Sequence, residues 1–487
     1  MPRDWRDDRI EQLERELAEK DEIIAQQAAR IAELEKRVTQ LEQSLREYKE
    51  LLSRNSQNSS KPPSKDERKY PKRKAKSGRK RGGQPGHPKH QRPMVPSEQV
   101  DEVVSEMPKC CDHCHGPLEA RDAEPERHQV FEIPPVRPHV TEYQLHRGWC
   151  RSCRHWTKAK LPAGVGRSAF GTSVVALIGV LMGRCRLSKR AAVDAMNSMF
   201  HLSMSTGAVV DCQNRLSEAL AAPVAEAYEH VQQQEVKNAD ETSWRECCER
   251  AWLWTAISGL VAVFMIQARR SAQAATNLLG EAQGILGTDR FSGYLHWPTR
   301  LHQMCWAHLK RDFTAISERK GEAGRIGKAL LEQEKLLFTL WHRVRDGTLS
   351  RSSFQSHVRP IRAQVLSLLI QGLRCSHGKT SRTCNKMLSV FDAFWTFVRV
   401  AGVEPTNNES ERTLRHAVIY RHICLGTQSE AGSRFVERIL TVEASLRRQQ
   451  RDMLQFLNDA CQAALLNSAP PSLIPTQHTA TSMLAAA

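Results

Sequence analysis

The fold of this chain is decided by the stretch that opens with VKNADET at residues 236–242 and closes with GILGTD at residues 284–289. Between them lie AWLWTAI at 251–257, LVAVFMI at 260–266 and a helix-like segment at 271–279. The apolar runs are rich in β-branched and aromatic residues, as strands are. We therefore predict three successive strands, a helix and a further strand.

This order of elements is that of the opening of a ribonuclease H-like α/β fold. In that fold the first aspartate lies on the central strand and the second at the end of the fourth strand, close enough for two metal ions about 3.5–4 Å apart. Asp240 lies in the first predicted strand, and Asp289 follows the last one. Glu411, in NNESER at 407–412, is a third acid. Converging carboxylates of this kind suit Mg²⁺ or Mn²⁺.

The charge of the chain points to a nucleic-acid partner. Its 487 residues carry a net charge of +17, and the pI is near 9.4. A site with two such metal ions acts on phosphate groups. The positive charge indicates that these phosphates belong to a nucleic acid rather than to a small metabolite. The length predicts about three or four modules. With no signal peptide and no apolar run long enough to cross a membrane, we expect a soluble, cytoplasmic protein.

Residues 1–52 are predicted to form a coiled coil. One heptad position is apolar throughout, at Ile10, Leu17, Ile24, Ile31, Val38, Leu45 and Leu52. The second seam position is interrupted only by Lys20 and Gln27. This pattern favours self-association into a homo-oligomer; a single long helix packed on its own protein is the alternative.

Residues 53–95 are predicted to be a disordered basic linker. They carry 14 Lys and Arg residues against two acids, Asp66 and Glu67. Dense positive charge without periodicity is typical of an arm that lies along DNA phosphates, although a solubilising tether has the same composition.

Two cysteine pairs predict a zinc-binding ribbon over residues 96–160. Cys111 and Cys114 form the first pair, and Cys150 and Cys153 the second. In a reducing compartment such paired spacing indicates a structural zinc ion held by four thiolates. The runs at 129–133 and 140–145 alternate like strands. The alternatives are four cysteines without metal, or a ligand set that includes Cys110 or His113.

The remaining segments are predicted to be mainly helical. Within 161–234, the helices flanking HLSMS at 201–205 have the spacing of a helix-turn-helix, and a structural αα-hairpin fits them equally well. Residues 401–466 also have a helical pattern. The tail at 467–487 is rich in Pro, Ala and Thr and is predicted to be disordered.

Taken in order, the motifs of this chain resemble those of the IS66-type insertion-sequence transposases. They are NSQNSSKPPSKD at 55–66, RKRGGQPGH at 79–87, the paired cysteines, DET at 240–242, TDR at 288–290, CWAHLKR at 305–311 and NN-x-x-ER at 407–412.

The resemblance implies a DDE transposase that cleaves and transfers DNA strands with Mg²⁺ or Mn²⁺. Asp240, Asp289 and Glu411 would be the catalytic and cofactor-binding residues. The ribonuclease H-like core would begin at 235–300, be interrupted by a helical insertion at 301–400, and resume at 401–466 with the third carboxylate. The partners implied are the element's terminal repeats, target DNA and accessory proteins of the same element, in the bacterial nucleoid. A non-enzymatic DNA-binding derivative and a ribonuclease H-like nuclease or resolvase are the rival readings.

Two further acids compete for places in this set. Glu409 lies two positions before Glu411, and on a helix only one of the two can aim inward. Arg412 follows Glu411 as the motif requires, so Glu411 is preferred. Glu241 is excluded because neighbours in a strand face opposite sides of the sheet.

The predicted insertion contains further residues with metal-ligand chemistry. They are Cys305, His308, Cys375, His377 and Cys384. Their spacing is irregular, so a second zinc site is the less favoured reading, and His308, Lys310 and Arg311 are expected to face the DNA backbone.

Overall fold

The computed structural model describes residues 5–59, 66, 92–119 and 126–475. Its internal contacts divide the chain into two units. One comprises Met1–Asp66, Tyr143–Val193 and Met204–Ala487, and the other Glu67–Glu142 and Asp194–Ser203. Most of the predicted basic linker, and the end of the predicted tail from residue 476, lie outside the described residues.

In the smaller unit, the described residues between 92 and 142 have little regular structure. A 3₁₀ turn spans Ser97–Gln99, and the backbone of Val95 exchanges two hydrogen bonds with the side chain of Gln129. The strands predicted at 129–133 and 140–145 are wrong, because both runs are irregular. Ile133 and Val140 are 88% and 85% exposed, and no strand among the described residues pairs with either run. The prolines between the runs cannot donate ladder hydrogen bonds.

The elements of the chain are mixed α and β. The strands are β1 Arg147–Cys150, β2 His155–Lys158, β3 Val236–Glu246, β4 Glu249–Ser258, β5 Val261–Gln267, β6 Ile285–Thr288 and β7 His302–Met304. The helices are α1 Trp5–Leu52, α2 Thr172–Gly183, α3 Lys189–Phe200, α4 Thr206–Ala219, α5 Ala221–Gln233, α6 Ala272–Leu279, α7 Trp306–Ser317, α8 Gly321–Arg345, α9 Arg351–Arg374, α10 Gly378–Leu388, α11 Thr396–Arg399, α12 Asn408–Cys424, α13 Glu430–Arg448 and α14 Met453–Leu466.

Five strands form one sheet in the order β5-β4-β3-β6-β7. The first three along the chain are antiparallel neighbours, and β6 and β7 add in parallel beside β3. The β3–β6 pairing places Asn238 opposite Gly287. A Cβ atom at Gly287 would lie 2.0 Å from Asn238 Oδ1, so any larger residue there would require the Asn238 side chain to move.

The four strands and the helix predicted between 236 and 288 are confirmed, and the fifth strand, β7, was not predicted. β7 lies inside the range 301–400 that the sequence assigned to a helical insertion. Three residues are too few to show a strand periodicity, and it pairs with β6 only through tertiary structure. The helical segment therefore begins at α7.

Helix α13 covers the edge of the sheet at β5. The backbone N–H groups of Ala262, Phe264 and Ile266 donate to the side chains of Ser445, Thr441 and Glu437 at 3.1, 3.1 and 2.6 Å. The acceptors are spaced four residues apart on the helix, a rise of about 6.0 Å, and the donors two residues apart on the strand, about 6.6 Å. The two spacings are similar enough for three successive hydrogen bonds. The otherwise unpaired edge is thereby hydrogen-bonded.

The segment from α7 to α11 has an aromatic core of its own. Trp306 is fully buried among Phe313, Phe338, Phe394 and Trp395, with ring centroids 5.2–6.5 Å apart. Its indole N–H donates to the Phe394 carbonyl at 2.8 Å. This packing makes the segment a folded body and not a loop between β7 and α12.

The predicted tail begins later than the sequence indicated. Leu473 is fully buried, and Gln449 Nε2 donates to its carbonyl at 2.8 Å. The expected disorder is therefore wrong for residues 467–475, because one leucine in a Pro- and Ala-rich run finds an apolar site. Helix α1 is observed, with its seam side chains exposed, for example Leu17 at 62% and Ile31 at 57%; its pairing in a coiled coil stays a prediction. Among the described residues, no helix is long and apolar enough to cross a membrane.

Candidate active site

Parallel pairing brings two of the predicted acids to neighbouring strands. Asp240 lies in the middle of β3, and Asp289 follows the last residue of β6. Asn238 pairs with Gly287 across these parallel strands. Asp240 and Asp289 each lie two residues after that pair, so they are at the same level along the two strands. Two hydrogen bonds hold these carboxylates: the Glu241 N–H donates to Asp240 Oδ1 at 2.9 Å, and the Phe291 N–H donates to Asp289 Oδ1 at 2.8 Å.

The first turn of α12 is anchored directly to β3. Asn407 is 1% exposed, and its Nδ2 donates to the Ala239 carbonyl at 2.8 Å. Its Oδ1 accepts from Ser410 Oγ at 2.5 Å. The helix that carries Glu411 is thus attached one residue before Asp240, which brings the third predicted acid to the same edge of the sheet.

Electrostatics link the three carboxylates. Burial raises the pKa of Asp240 well above its usual range, and the nearby charges of Glu241, Asp289 and Glu411 raise it further. Burial also raises the pKa of Glu411, and Asp289 adds to the effect against the opposing charge of Arg311. Mutual repulsion of this kind favours a bound cation, which would stabilise all three ionised forms.

The donor set fits a hard divalent cation. Glu411 Oε1 is buried without a hydrogen-bond partner, since its nearest cationic groups, on Arg311 and His308, lie at 3.5 and 3.6 Å, too far for good hydrogen bonds. Buried carboxylate oxygens are nearly always satisfied in native proteins. Asp240, Asp289 and Glu411 are the residues that could hold Mg²⁺ or Mn²⁺.

The two competing acids have partners elsewhere. Glu409 forms an ion pair with Arg448 at 2.5 Å. Glu241 forms an ion pair with Arg270 and accepts a hydrogen bond from Tyr294 Oη at 2.5 Å, and its side chain is only 1% exposed. These partners agree with the preference for Glu411 over Glu409 and for Asp240 over Glu241.

The first turns of α7 also contribute to the site. His308 and Arg311, expected to face the DNA backbone, lie beside Glu411 instead, and Lys310 pairs with Glu334 at 3.0 Å. Burial, with a smaller effect of Arg311, lowers the pKa of His308 to about 4, so its ring is neutral at pH 7. The i, i+3 spacing of His308 and Arg311 places them on one helix face; this signal was available in the sequence.

A cavity of about 650 Å³ opens beside Glu411. Its charged lining residues are three glutamates and three arginines: Glu404, Glu409, Glu411, Arg345, Arg412 and Arg415. Cationic side chains around a carboxylate cluster are suited to phosphate groups that approach bound metal ions.

Each cysteine pair lies in a tight turn. In the smaller unit, the Cys111 N–H donates to the Gly116 carbonyl at 3.0 Å, and the His115 N–H donates to the Cys111 carbonyl at 2.9 Å. In the larger unit, Cys150 ends β1 and the Arg154 N–H donates to its carbonyl at 2.8 Å. Hydrogen bonds from the Cys114 and Cys153 backbones lower the pKa of the Cys111 and Cys150 thiols respectively. Both turns therefore favour the thiolate form that binds zinc.

Comparison with protein families decides the identity of the larger unit. The model of the transposase IS66 family matches residues 167–434, which is more than half of the chain and includes Asp240, Asp289 and Glu411. The chain belongs to the IS66 transposase family.

Two further matches cover the N-terminal part of this IS66-family chain. The zinc-finger binding domain of transposase IS66 matches residues 108–154, which contain all four paired cysteines. A family of unknown function matches residues 6–93, which span α1 and the basic segment. No curated protein gives a significant match to the chain. The matches support a transposase role, a structural zinc ion and DNA as partner.

Proposed function

We propose that this IS66-family protein is a DDE transposase that binds the ends of an insertion sequence and catalyses strand cleavage and strand transfer. One observation supports the proposal most directly: the charges of Asp289 and Glu411 raise the pKa of Asp240, so three acids from distant parts of the chain lie near one another, and the buried Glu411 Oε1 lacks a hydrogen-bond partner. The family match spans all three.

The sheet is proposed to be a ribonuclease H-like core. In chain order its strands run 3-2-1-4-5, the first three antiparallel and the last two parallel. The helical segment α7–α11 would be the insertion between the second and third carboxylates. Its role in the site is to supply His308 and Arg311, which contact Glu411.

Asp240, Asp289 and Glu411 would hold two Mg²⁺ or Mn²⁺ ions. When bound, such ions activate water or a terminal 3′-hydroxyl and stabilise the leaving oxygen of an in-line displacement. Asn407 fixes the start of α12 through its hydrogen bond to β3, and Arg412 and Arg415, which line the cavity, would contact phosphate. No protein nucleophile is required, so cleavage and strand transfer can use one site.

The N-terminal modules are proposed to hold the DNA ends. Cys111, Cys114, Cys150 and Cys153 would bind the structural zinc of the zinc finger. The basic residues 61–92 would contact phosphates without reading sequence, and α1 would pair with a second copy through its exposed seam. The helix pair α3–α4 is proposed as a further DNA contact.

The test begins with the DNA that flanks the gene. Inverted repeats bracketing it would define the element's ends. Purified protein with Mg²⁺ is expected to cut a fragment that carries such an end at the repeat boundary and to join the 3′ end to target DNA. Binding to the repeats without cleavage in Mg²⁺ or Mn²⁺ would reject the enzyme and favour a DNA-binding derivative.

A further inference from the structure

Three side chains of different metal-ligand types lie close together near the predicted catalytic carboxylates: Cys305, His308 and Glu411. One ligand atom from each lies within 4.8 Å of the other two. His308 Nδ1 is 3.6 Å from Glu411 Oε1. Donor atoms in a tetrahedral zinc site with bonds of about 2.0–2.3 Å are roughly 3.3–3.8 Å apart. The His–Glu pair is therefore already spaced as two ligands of one ion.

Two of these three atoms lack a partner. His308 Nδ1 and Glu411 Oε1 are both buried and make no hydrogen bond. A single unsatisfied buried atom is uncommon in a native protein, and two facing each other indicate a species that contacts both. A cation satisfies a neutral imidazole nitrogen and a carboxylate oxygen at the same time.

The backbone fixes the sulfur in the same place. The Cys305 N–H donates to the Thr288 carbonyl at 2.9 Å, and the Trp306 N–H donates to the Pro405 carbonyl at 2.9 Å. The Asn407 N–H points at Cys305 Sγ from 3.2 Å. These bonds join the starts of α7 and α12, so Cys305 and His308 meet Glu411 from more than 100 positions away in sequence.

The structure also separates this group from the other candidates in the helical segment. Within the part of the chain that the structure describes, Cys375, His377 and Cys384 belong to no group of three converging donors. Cys384 is buried, and His377 lies 3.7 Å from Glu50.

We propose that Cys305, His308 and Glu411 form a second zinc site, with a fourth position open to water, that shares Glu411 with the catalytic carboxylates. Sulfur and imidazole ligands favour Zn²⁺ strongly over Mg²⁺, which prefers oxygen alone. Zn²⁺ at this site removes Glu411 from the Mg²⁺ set and lowers strand cleavage. That consequence rests on the proposed function, whereas zinc binding does not.

Cobalt binding tests the site in the full-length protein. Co²⁺ is added to protein whose zinc finger is loaded with zinc. The zinc content is measured in parallel, so that Co²⁺ that replaces zinc in the zinc finger is counted separately from Co²⁺ at the proposed site. We expect one further equivalent of Co²⁺ with a thiolate-to-cobalt absorption band. The band should vanish in Cys305→Ala and persist in Cys384→Ala, a matched buried cysteine.

His308→Asn provides a second variant in case Cys305→Ala does not fold. This substitution should lower the affinity for the further equivalent of Co²⁺. The loss should exceed the roughly 10–100-fold that is typical when a residue hydrogen-bonded to a metal ligand is replaced. No further equivalent of Co²⁺ in the wild type, or an unchanged band in folded Cys305→Ala, overturns the proposal.

A cleavage assay with competing metals separates this inference from the proposed function. At fixed Mg²⁺, added Zn²⁺ should inhibit the wild type, and Cys305→Ala should be less inhibited relative to its own zinc-free rate. Cobalt binding without cleavage in any metal would reject the proposed function alone. Mg²⁺-dependent cleavage without cobalt binding would reject the zinc site alone.

Discussion

Glu409 and Glu411 lie two residues apart on α12 and line the same cavity, but they have different charged partners. Glu409 pairs with Arg448, whereas Glu411 lies beside His308 and Arg311, and the charge of Asp289 raises its pKa. Residues i and i+2 point to different faces of a helix, so the first turn of α12 can present only one of them to the metal ions. The contrast offers a matched pair of substitutions.

We predict that Glu411→Gln abolishes Mg²⁺-dependent cleavage of element ends and that Glu409→Gln does not. The first change removes a metal ligand, and the second removes a partly exposed ion pair worth about 0–1 kcal/mol. Cleavage rates are measured at saturating DNA, with binding titrations to verify that both variants bind. An active Glu411→Gln with an inactive Glu409→Gln would mean that the other glutamate is the ligand.

At the scale of single elements, Glu437 shows how α13 completes the sheet. Its Oε1 accepts from the Ile266 N–H of the edge strand, while its Oε2 pairs with Arg434 at 2.8 Å. Glu437→Gln keeps an acceptor, but Glu437→Leu leaves a buried N–H unpaired, at about 1–3 kcal/mol. Chemical unfolding should rank wild type and Gln above Leu. Equal midpoints for the Gln and Leu variants would show that the hydrogen bond contributes little.

The same carboxyl predicts a pH dependence of stability. Burial raises the pKa of Glu437 from 4.5 to about 7, so between these values the folded protein binds a proton that the unfolded chain has lost. Its contribution is full below about pH 4.5 and is lost as the pH rises towards about 7. The unfolding midpoint of Glu437→Gln, measured at pH 5 and pH 8, should fall less than that of the wild type; identical falls would contradict the assignment.

The cysteine turns make a prediction for the zinc finger. Cys111→Ser and Cys150→Ser should each lose the zinc of protein purified without chelators, because a structural site contributes its binding free energy to local folding. Cys110→Ser, next to the first pair, should retain it. Metal analysis decides the matter, and full zinc content in either of the first two variants would remove that cysteine from the ligand set.

At the scale of the whole molecule, the sequence predicts elements with a local residue pattern better than contacts between residues distant in the chain. The strands β3 to β6, α6 and α1 could be predicted because their residue patterns are long and regular. Strand β7 could not, since three residues form a strand only beside β6. The contacts of His308 and Arg311 with Glu411 depend on a turn of α7 meeting one of α12, which no local pattern encodes. Leu473 shows the same limit, since its burial and the hydrogen bond from Gln449, 24 positions earlier, depend on tertiary structure.

Helix α1 is proposed to join two copies of the protein. Its seam residues Ile24 and Ile31 are 61% and 57% exposed in the single chain, and a partner helix would bury them. Ile24→Asp with Ile31→Asp should reduce the mass measured by light scattering. Ala25→Asp with Ala32→Asp adds the same charge at outer heptad positions and should leave it unchanged. If the seam variant keeps the wild-type mass, self-association lies elsewhere.

The most direct test of the whole account is Mg²⁺-dependent cleavage by the two aspartate variants. Asp240→Asn and Asp289→Asn should bind DNA ends as the wild type does and fail to cut them, because each loses a metal ligand without a change in the basic surface. Asp392→Asn, an exposed aspartate paired with Arg362 in the helical segment, should cut at the wild-type rate. Wild-type cleavage by either Asp240→Asn or Asp289→Asn would contradict the claim that these carboxylates hold the catalytic metal ions.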